Sequence, residues 1–358
     1  MPDVSDFHPN WISTPGDTIN DLLRERGITL AEFADRMGLT LDGVTELVQG
    51  RSTITIRVAR RLEEVLGASV EFWMSRDFQY REDVVRLRVP DEGWLRELPI
   101  GDMIKFGWIK PVPSPADEVD ACLRFFDVRS ISAWREAYAD VLSMAVFRTS
   151  PSFDSRPASV ATWLRQGEVE AAAINCERWD ACGFETALSA IRPLTREKSP
   201  DRFIPRLREA CAASGVAVVV VRAPNGCRAS GAARFLSTDK ALIQLSFRYL
   251  SDDQFWFTFF HEAGHLLLHG NRKIFVDGLE GVVERAENEA NQFAVTVLIP
   301  PEFHTSLLRL RANQSREVIR FAQRLGISPG IVVGQLQHHG KVRRDRLNRL
   351  KRRFQWSD

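Results

Sequence analysis

The sequence predicts an α+β fold in which most segments are helical and one short region forms a small β-sheet. Helical spacing of apolar residues, broken by glycine and proline, recurs along most of the chain, whereas β-branched runs are confined to about residues 216–247. At 358 residues the chain is long enough for two or three domains. We expect an N-terminal arm over 1–14, an all-α helix-turn-helix domain over 15–82, a helical connector over 83–200, a domain with the small β-sheet over 201–312, and a C-terminal helical subdomain over 313–358.

The composition is that of an ordinary globular protein. Hydrophobic residues make up 44% of the chain and charged residues 27%, and the net charge of +1 gives no global reason to expect nucleic-acid binding. No apolar run is long enough to span a bilayer, and the first residues lack a basic-then-apolar signal. The five scattered cysteines favour reduced thiols over a disulfide framework. We therefore expect a cytoplasmic protein without a membrane partner.

The N-terminal region follows a helix-turn-helix pattern. Helices bounded by threonine or glycine are predicted over 17–27, 29–38, 41–50 and 56–66, and a fifth begins near residue 70. The third helix would be the recognition helix. Its candidate DNA-contacting residues are Thr40, Leu41, Thr45, Gln49 and Arg51.

The charge of this region opposes DNA binding. Residues 17–80 hold eight arginines and eleven acidic residues, a net charge of −3 (8 − 11). Asp42 and Glu46 would face the DNA phosphates from the recognition helix. Specific DNA binding and a role in dimerisation or protein docking therefore both remain open.

The middle of the chain carries a weaker pattern than its two ends. A proline-rich linker at 111–115 precedes helices predicted over 119–126, 132–146 and 158–174. We interpret the region as a connector that could also help to define a substrate.

Strand signals follow a helix predicted over 202–214. The β-branched and alternating runs predict strands over 216–221, 232–236 and 241–247, and the Asn225-Gly226 pair predicts a turn. An exposed edge of this sheet could bind an extended peptide as an added strand.

The strongest chemical signal is the sequence HEAGH at residues 261–265. In an α-helix His261 and His265 lie one turn apart on one face, so both rings can reach one metal ion. Glu262 can reach a water molecule at that metal and act as a general base. This HExxH pattern is typical of zinc metallopeptidases. It predicts His261 and His265 as metal ligands and Glu262 as the catalytic residue.

The flanking residues favour a buried helix. Ser251 and Gln254 have the spacing of a capping box, and Gly270 stands where a left-handed C-terminal cap would stand. Between them the helix is apolar on nearly every side. Two histidines and a glutamate buried in such a helix need partners, and a metal ion provides them.

A third ligand is expected from the helix predicted over 284–300. Glu287, Ala290, Asn291 and Ala294 share one face, and the two alanines would let that face approach another helix closely. Glu287 is therefore the candidate third metal ligand, with Asn291 as a partner of a ligand one turn on. Glu289 falls about 200° around the helix from Glu287 and is expected to face solvent. An acidic helix start that favours the helix dipole is the alternative for some of these residues.

Two further polar residues lie near the motif in the sequence. His269, in the last turn of the motif helix, is expected to favour the helix C-terminus rather than to bind the metal. Tyr249, just before the helix, is a candidate oxyanion donor.

Three strings, FWFTFFHEAGHLLLHG, ENEANQFAVTVLIPP and GISPGIVVGQLQHHG, together resemble the ImmA/IrrE family of metallo-endopeptidases over about residues 202–356. The resemblance implies a zincin-like, gluzincin-type peptidase domain with His261, His265 and Glu287 as ligands and Glu262 as base. It also implies regulation, because family members cleave or destabilise helix-turn-helix repressors in phage, mobile-element and stress circuits. Residues 15–80 resemble phage-repressor (XRE-type) domains, most closely HigA-like antitoxins, in their apolar order, their glycines and the ending VEFWM.

The C-terminal tail is strongly basic. Residues 341–354 hold eight basic residues and one acid, a net charge of +7 (8 − 1), and the spacing of Leu347, Leu350 and Phe354 predicts an amphipathic helix. A solvated face and a patch for DNA or an acidic partner are both compatible with this pattern.

The leading hypothesis is a zinc-dependent endopeptidase, with manganese as an alternative metal, that regulates transcription by cleaving a specific helix-turn-helix repressor in a stress, phage or mobile-element circuit. The alternative is a DNA-binding regulator or a HigA-like antitoxin whose metal site is sensory or structural. DNA and a second copy of the chain remain candidate partners under both hypotheses.

Overall fold

The computed structural model describes residues 13–142, 156–248, 250–270 and 280–354, with the backbone alone for residues 82–92 and 280–284. The chain forms two compact units, Met1–Trp94 and Leu95–Asp358. No helix in the described part of the chain is long and apolar enough to cross a membrane.

The first four helices of the first unit are short, and each has a threonine as its N-cap. Thr14 and Thr29 form complete capping boxes, and Thr40 and Thr55 each accept a hydrogen bond from the N–H three residues on. The four predicted helices are confirmed with small shifts at their ends. The helices are α1 Pro15–Glu25, α2 Leu30–Met37, α3 Leu41–Val48, α4 Ile56–Leu66 and α5 Val70–Glu97.

The apolar faces of these helices meet in one core. Ile19, Phe33, Val44, Leu62 and Trp73 are fully buried there. Each lies on the inward face that helical spacing predicts. The α5 helix continues through residue 82, where the sequence predicts the end of the helix-turn-helix domain.

The second unit surrounds a small sheet with helices. The predicted helices over 119–126, 158–174 and 202–214 are confirmed, whereas the end of the one over 132–146 lies outside the described residues. The helix at 181–191 was not predicted. The helices are α6 Ile100–Lys105, α7 Pro115–Phe126, α8 Ile131–Ala137, α9 Pro157–Ala172, α10 Ala181–Ile191, α11 Pro200–Ala212, α12 Asp252–His269, α13 Glu280–Leu298, α14 His304–Arg309, α15 Ser315–Leu325 and α16 Pro329–His338, with 3-10 turns at Arg192–Arg196, Pro301–Phe303 and Asn348–Leu350.

The three predicted strands form one mixed sheet. They are β1 Val216–Val220, β2 Gly231–Ser237 and β3 Lys240–Leu245. The order is β1-β3-β2, with β1 parallel and β2 antiparallel to β3. Within the described residues β2 is therefore an edge strand.

Both faces of the sheet are covered. Val218 and Ile243 point into the main core of the second unit, and their neighbours Val219 and Leu242 point to the other face, where Trp163 of α9 covers them. The Trp163 indole N–H donates a hydrogen bond to the backbone oxygen of residue 221 at 3.1 Å. A sheet covered on both faces explains why β1 is apolar throughout.

The main core draws on three of the predicted segments. It contains Phe184 from the predicted connector, Trp256 and Phe259 from α12, and Val332 from the predicted C-terminal subdomain. All four side chains are fully buried. These segments therefore share one hydrophobic core, which fixes α12 at the centre of the unit.

The C-terminal tail does not form the predicted amphipathic helix. Residues 341–354 follow an irregular path with one 3-10 turn. Ser251 and Arg353 form an isolated antiparallel bridge. Phe354 is buried, and its ring lies 5.4–6.1 Å from three phenylalanine rings, Phe203, Phe247 and Phe255.

Tertiary contacts explain why the helix prediction for the tail was wrong. The Lys351 ammonium lies 2.6 Å from the buried Asp253 carboxylate on α12. The Arg352 guanidinium donates to the backbone oxygens of residues 195–197 at 2.8–3.2 Å, and the Arg352 N–H donates to the Asp252 carboxylate at 2.9 Å. These contacts hold the tail in its irregular path and override its local helical pattern.

Candidate metal centre

The α12 helix carries the HExxH residues into the core. It begins after Ser251, but the Ser251 side chain makes no capping hydrogen bond, so the predicted capping box with Gln254 is wrong. Asp252, the first residue of the helix, accepts hydrogen bonds from two residues distant in sequence, the Ser328 hydroxyl and the Arg352 N–H. Gly270 ends the helix with φ 58° and ψ −140°, a positive φ outside the left-handed helical region that was predicted.

The three predicted ligands lie together. The Nε2 atoms of His261 and His265 are 3.0 Å apart. The two carboxylate oxygens of Glu287 lie 3.3 Å from Nε2 of His261 and 3.5 Å from Nε2 of His265. One ligand atom from each of the three residues lies within 4.8 Å of the others. The three residues form a candidate metal site.

Small residues bring Glu287 to the two histidines. A Cβ atom on Gly264 of α12 would lie 3.0 Å from the Phe293 ring and 3.3 Å from the Cα of Ala290 on α13. Ala290 and Ala294 are fully buried. The two helices therefore approach each other through glycine and alanine, as the face of α13 predicts, and Glu287 spans the short remaining gap.

The chemistry of these residues fits a divalent metal. Two imidazole nitrogens and one carboxylate oxygen are a ligand set found in catalytic zinc sites, which keep a further position open for water or substrate. His265 is buried, whereas the Glu287 side chain is 46% exposed. The cluster therefore has one side open to solvent, as a site that receives a substrate requires.

A second layer of side chains contacts the histidines. Nδ1 of His261 lies 3.0 Å from the Asn291 side-chain oxygen, which is the contact predicted for Asn291. Nδ1 of His265 lies 3.2 Å from Nδ1 of His269, and Nε2 of His269 lies 3.1 Å from a Glu289 carboxylate oxygen. Both Nε2 atoms thus face the site, and both Nδ1 atoms face away from it.

The contact between His269 and Glu289 was not predicted from the sequence. His269 was expected to favour the helix C-terminus and Glu289 to face solvent. Glu289 is 43% exposed, but its carboxylate also contacts His269 and Arg285. A signal was present, because His261, His265 and His269 repeat every four residues and therefore share one helix face.

Glu262 lies beside the edge strand β2. The residue is 8% exposed. A Cβ atom on Gly231, the first residue of β2, would lie 2.6 Å from a Glu262 carboxylate oxygen and 2.5 Å from a Thr258 methyl group. Only glycine leaves room for this approach. Burial, reinforced by the charge of Glu287, raises the pKa of Glu262 to about 8, although His261 acts in the opposite direction.

The ligand cluster shifts the pKa values of its own members. Burial alone would raise the pKa of Glu287, but hydrogen bonds and charge from His261 and His265 outweigh it, and the pKa falls far below its usual range. Burial works against the charged form of His261, but Glu287, Glu262 and Asn291 more than offset it and raise the pKa of His261. Glu287 is therefore an anion at neutral pH, as a ligand for a cation must be.

The predicted DNA-contacting residues lie in the first unit. The Thr40 hydroxyl accepts from the Gly43 N–H at 3.1 Å, and the Thr45 hydroxyl donates to the backbone oxygen of Leu41 at 2.8 Å. Gln49 and Arg51 contact each other through their side chains. Leu41 is 53% exposed. The two hydroxyls are thus used within α3, and the candidate oxyanion donor Tyr249 lies outside the described residues.

Both units of the chain match known domain families. Residues 213–337 match the profile of the M78 peptidase family, described as the IrrE N-terminal-like domain, and residues 19–73 match the profile described as helix-turn-helix. The chain therefore carries an IrrE-like domain and an N-terminal helix-turn-helix domain, which confirms the resemblance stated from the motifs.

A curated relative matches a short part of the chain. The chain is 33% identical over 61 residues to an uncharacterized HTH-type transcriptional regulator, YddM, of Escherichia coli strain K12. The match covers 17% of this chain and 65% of that regulator. The similarity therefore concerns about a sixth of this chain and less than two thirds of that regulator.

Proposed function

We propose that this protein is a metal-dependent endopeptidase, with Zn²⁺ as its metal, that regulates transcription by cleaving a specific cytoplasmic helix-turn-helix repressor. The observation that carries the proposal is the His261, His265 and Glu287 cluster with Glu262 beside it. A structural metal site has no need of a buried carboxyl next to its ligands. A peptidase needs one as a general base.

Each residue of the cluster has a distinct task. His261 and His265 would hold the metal through Nε2, and Glu287 would add the anionic ligand. When bound, a divalent metal supplies Lewis-acid activation of water and of the scissile carbonyl. Glu262 takes the proton from the attacking water and delivers it to the leaving amine. Burial raises the pKa of Glu262, but the positive charge of a bound metal would act in the opposite direction and favour the ionised carboxylate that accepts the proton.

The edge strand supports an extended substrate. Gly231 opens β2 directly beside Glu262, and the outer edge of β2 is unpaired within the described residues. A peptide that adds to this edge as a strand would place a backbone carbonyl near Glu262 and the ligand cluster. Backbone pairing of this kind accepts many sequences, so specificity must come from a second contact.

The helix-turn-helix unit supports a repressor as the substrate. Domains of this type pair with their own kind in symmetric dimers. The unit carries a net charge of −3 over residues 17–80, which favours a protein partner over DNA phosphates. On this view the first unit docks the repressor, and a flexible segment of the repressor reaches β2.

The second candidate function is a DNA-binding regulator or a HigA-like antitoxin whose metal site is sensory or structural. It is favoured by the helix-turn-helix match and by the relative described as a transcriptional regulator. The two functions differ in whether Glu262 matters, because a sensory or structural site would keep its role after Glu262→Gln.

A cleavage assay tests the proposal. Zinc-loaded protein is incubated separately with casein and with the helix-turn-helix repressor encoded beside it, and products are identified by mass spectrometry. We expect one cut in the repressor, intact casein, and no cut with the Glu262→Gln variant. Rapid loss of casein with an intact repressor would contradict the proposed specificity, and no cleavage of either protein by the metal-loaded wild type would contradict the peptidase function.

A further inference from the structure

His265 is the start of a chain of polar contacts that leads away from the candidate ligand set. The chain runs from Nδ1 of His265 to Nδ1 of His269 at 3.2 Å, and from Nε2 of His269 to the Glu289 carboxylate at 3.1 Å. The second carboxylate oxygen of Glu289 accepts from Nε of Arg285 at 2.8 Å. The His269 side chain is only 12% exposed, so its two ring contacts are largely shielded from water.

With both imidazole rings neutral, one set of proton positions satisfies every contact in this chain. A metal at Nε2 of His265 requires the ring proton to be on Nδ1. That N–H donates to the bare Nδ1 of His269, whose own proton is then on Nε2 and donates to Glu289. The reverse arrangement would place the proton of His265 on Nε2 and block metal binding. The Glu289 carboxylate can only accept, so it selects the first arrangement.

We propose that His269 and Glu289 are positioning residues that hold His265 in the tautomer and orientation required of a metal ligand. This inference rests on the metal site proposed above. The pair does for His265 what Asn291 does for His261, since each ligand has its Nδ1 tied to an acceptor at 3.2 Å or 3.0 Å. Outer contacts of this kind fix ring orientation and increase the basicity of the ligand.

His269 is a positioning residue rather than a fourth ligand. Its two ring nitrogens are both used, one by His265 and the other by Glu289. In the part of the chain that the structure describes, the residues grouped closely enough to share a metal are His261, His265 and Glu287.

Zinc affinity in variants of the full chain tests the inference. Competition with a chromophoric chelator would measure the zinc affinity, and the visible spectrum of the Co²⁺-loaded protein would report on the ligands. His269→Phe keeps a ring of similar size but removes the acceptor, so affinity should fall about 10- to 100-fold, the range for lost outer contacts. His269→Asn restores an acceptor oxygen, as Asn291 provides for His261, and should recover most of the loss.

Two control variants, Arg285→Ala and His338→Phe, distinguish loss of the contact chain from a general effect of substitution on zinc affinity. Glu289→Ala should lower zinc affinity, whereas Arg285→Ala, which removes only the exposed ion pair at the end of the chain, should leave it within about twofold. His338→Phe makes the same ring exchange far along the sequence and should leave affinity unchanged. Glu289 lies at the surface, so its variant remains informative even if His269→Phe fails to fold.

The outcomes distinguish this inference from the proposed function. A wild-type protein that binds no zinc would overturn both. Wild-type affinity and an unchanged Co²⁺ spectrum in His269→Phe and Glu289→Ala would overturn the positioning role and leave the metal site intact. Loss of a nitrogen ligand in the Co²⁺ spectrum of both His269→Phe and His269→Asn would show that His269 itself binds the metal, which also overturns the inference.

Discussion

Glu262 combines the proposed catalytic role with a buried position. Desolvation raises its pKa from 4.5 to about 8, so the metal-free folded protein keeps a proton on Glu262 across a pH range in which the unfolded chain has released it. The folded state then binds more protons than the unfolded state. Stability contributed by the neutral carboxyl is therefore complete below pH 4.5 and is lost as pH rises toward 8.

We predict that Glu262→Gln flattens the pH dependence of stability in metal-free protein. Between pH 4.5 and about 8 the wild type should lose about 1.4 kcal/mol per pH unit relative to the variant, because only its folded state keeps the proton. Urea unfolding of chelator-treated protein at several pH values measures the difference. Parallel curves for the two proteins would contradict the prediction.

Spacing alone predicts some residues of the site and misses others. The one-turn separation of His261 and His265 and the shared face of Glu287 and Asn291 follow from helix geometry, and the structure brings these four side chains together. His269 lies on α12 and Glu289 lies on α13. The spacing of residues within one helix does not show how two helices are placed against each other. The contact between these two side chains therefore depends on how α12 packs on α13.

Among the strands of the second unit, β2 lies directly beside the proposed general base Glu262. We predict that Gly231→Ala lowers peptide hydrolysis about 100-fold while metal content stays unchanged, because a displaced general base costs rate without removing a ligand. The added methyl group would lie within 2.5–2.8 Å of Thr258 and Glu262 and would push the carboxylate aside. Cleavage rate and metal content are measured on the same preparation.

A matched glycine provides the control for Gly231. A methyl group on Gly101 would meet nothing within 4 Å, so Gly101→Ala should hydrolyse the substrate at the wild-type rate. Equal rates in the Gly231→Ala and Gly101→Ala variants would show that the approach of β2 to Glu262 has no part in catalysis.

The tail stabilises the second unit through Phe354. This ring is 3% exposed and packs among aromatic side chains of the main core, so Phe354→Ala should destabilise that unit by about 3–5 kcal/mol. Phe78→Ala, at a residue 61% exposed, should cost far less. Chemical unfolding of both variants measures the difference, and equal small losses would mean that the tail packs loosely.

The tail is an element whose secondary structure could not be predicted from its local sequence. Helices with caps and apolar faces, such as Ile56–Leu66, were predicted at their observed positions because local residues determine them. Leu347, Leu350 and Phe354 have helical spacing too, but Lys351 and Arg352 find partners in α12 and in residues 195–197. Contacts so distant in sequence are invisible to a local pattern.

At the scale of the whole molecule, charge is divided unevenly along the chain. Residues 17–80 carry −3, whereas residues 341–354 carry +7. Lys351 and Arg352 are used in packing, but Arg344 and Arg346 are exposed. Any DNA binding by the full chain should therefore depend on these tail arginines and should weaken steeply with salt.

We predict that Arg344→Gln with Arg346→Gln reduces the salt dependence of DNA binding by the full chain. Each phosphate contact removed should lower the slope of log affinity against log salt by about 0.9. Arg129→Gln with Arg178→Gln changes the net charge equally at exposed positions elsewhere and should leave the slope unchanged. Equal slopes in both double variants, measured by gel shift, would exclude the tail as the DNA-binding surface.

Metal stoichiometry of purified variants tests the central claim most directly, because it needs no knowledge of the substrate. We predict about one equivalent of zinc in the wild type, Glu262→Gln and Glu289→Ala at saturating metal, and almost none in His261→Ala, His265→Ala or Glu287→Ala. Elemental analysis after gel filtration gives the answer. A wild type without metal, or a Glu289→Ala variant that loses metal while Glu287→Ala keeps it, would contradict the assignment of the ligands.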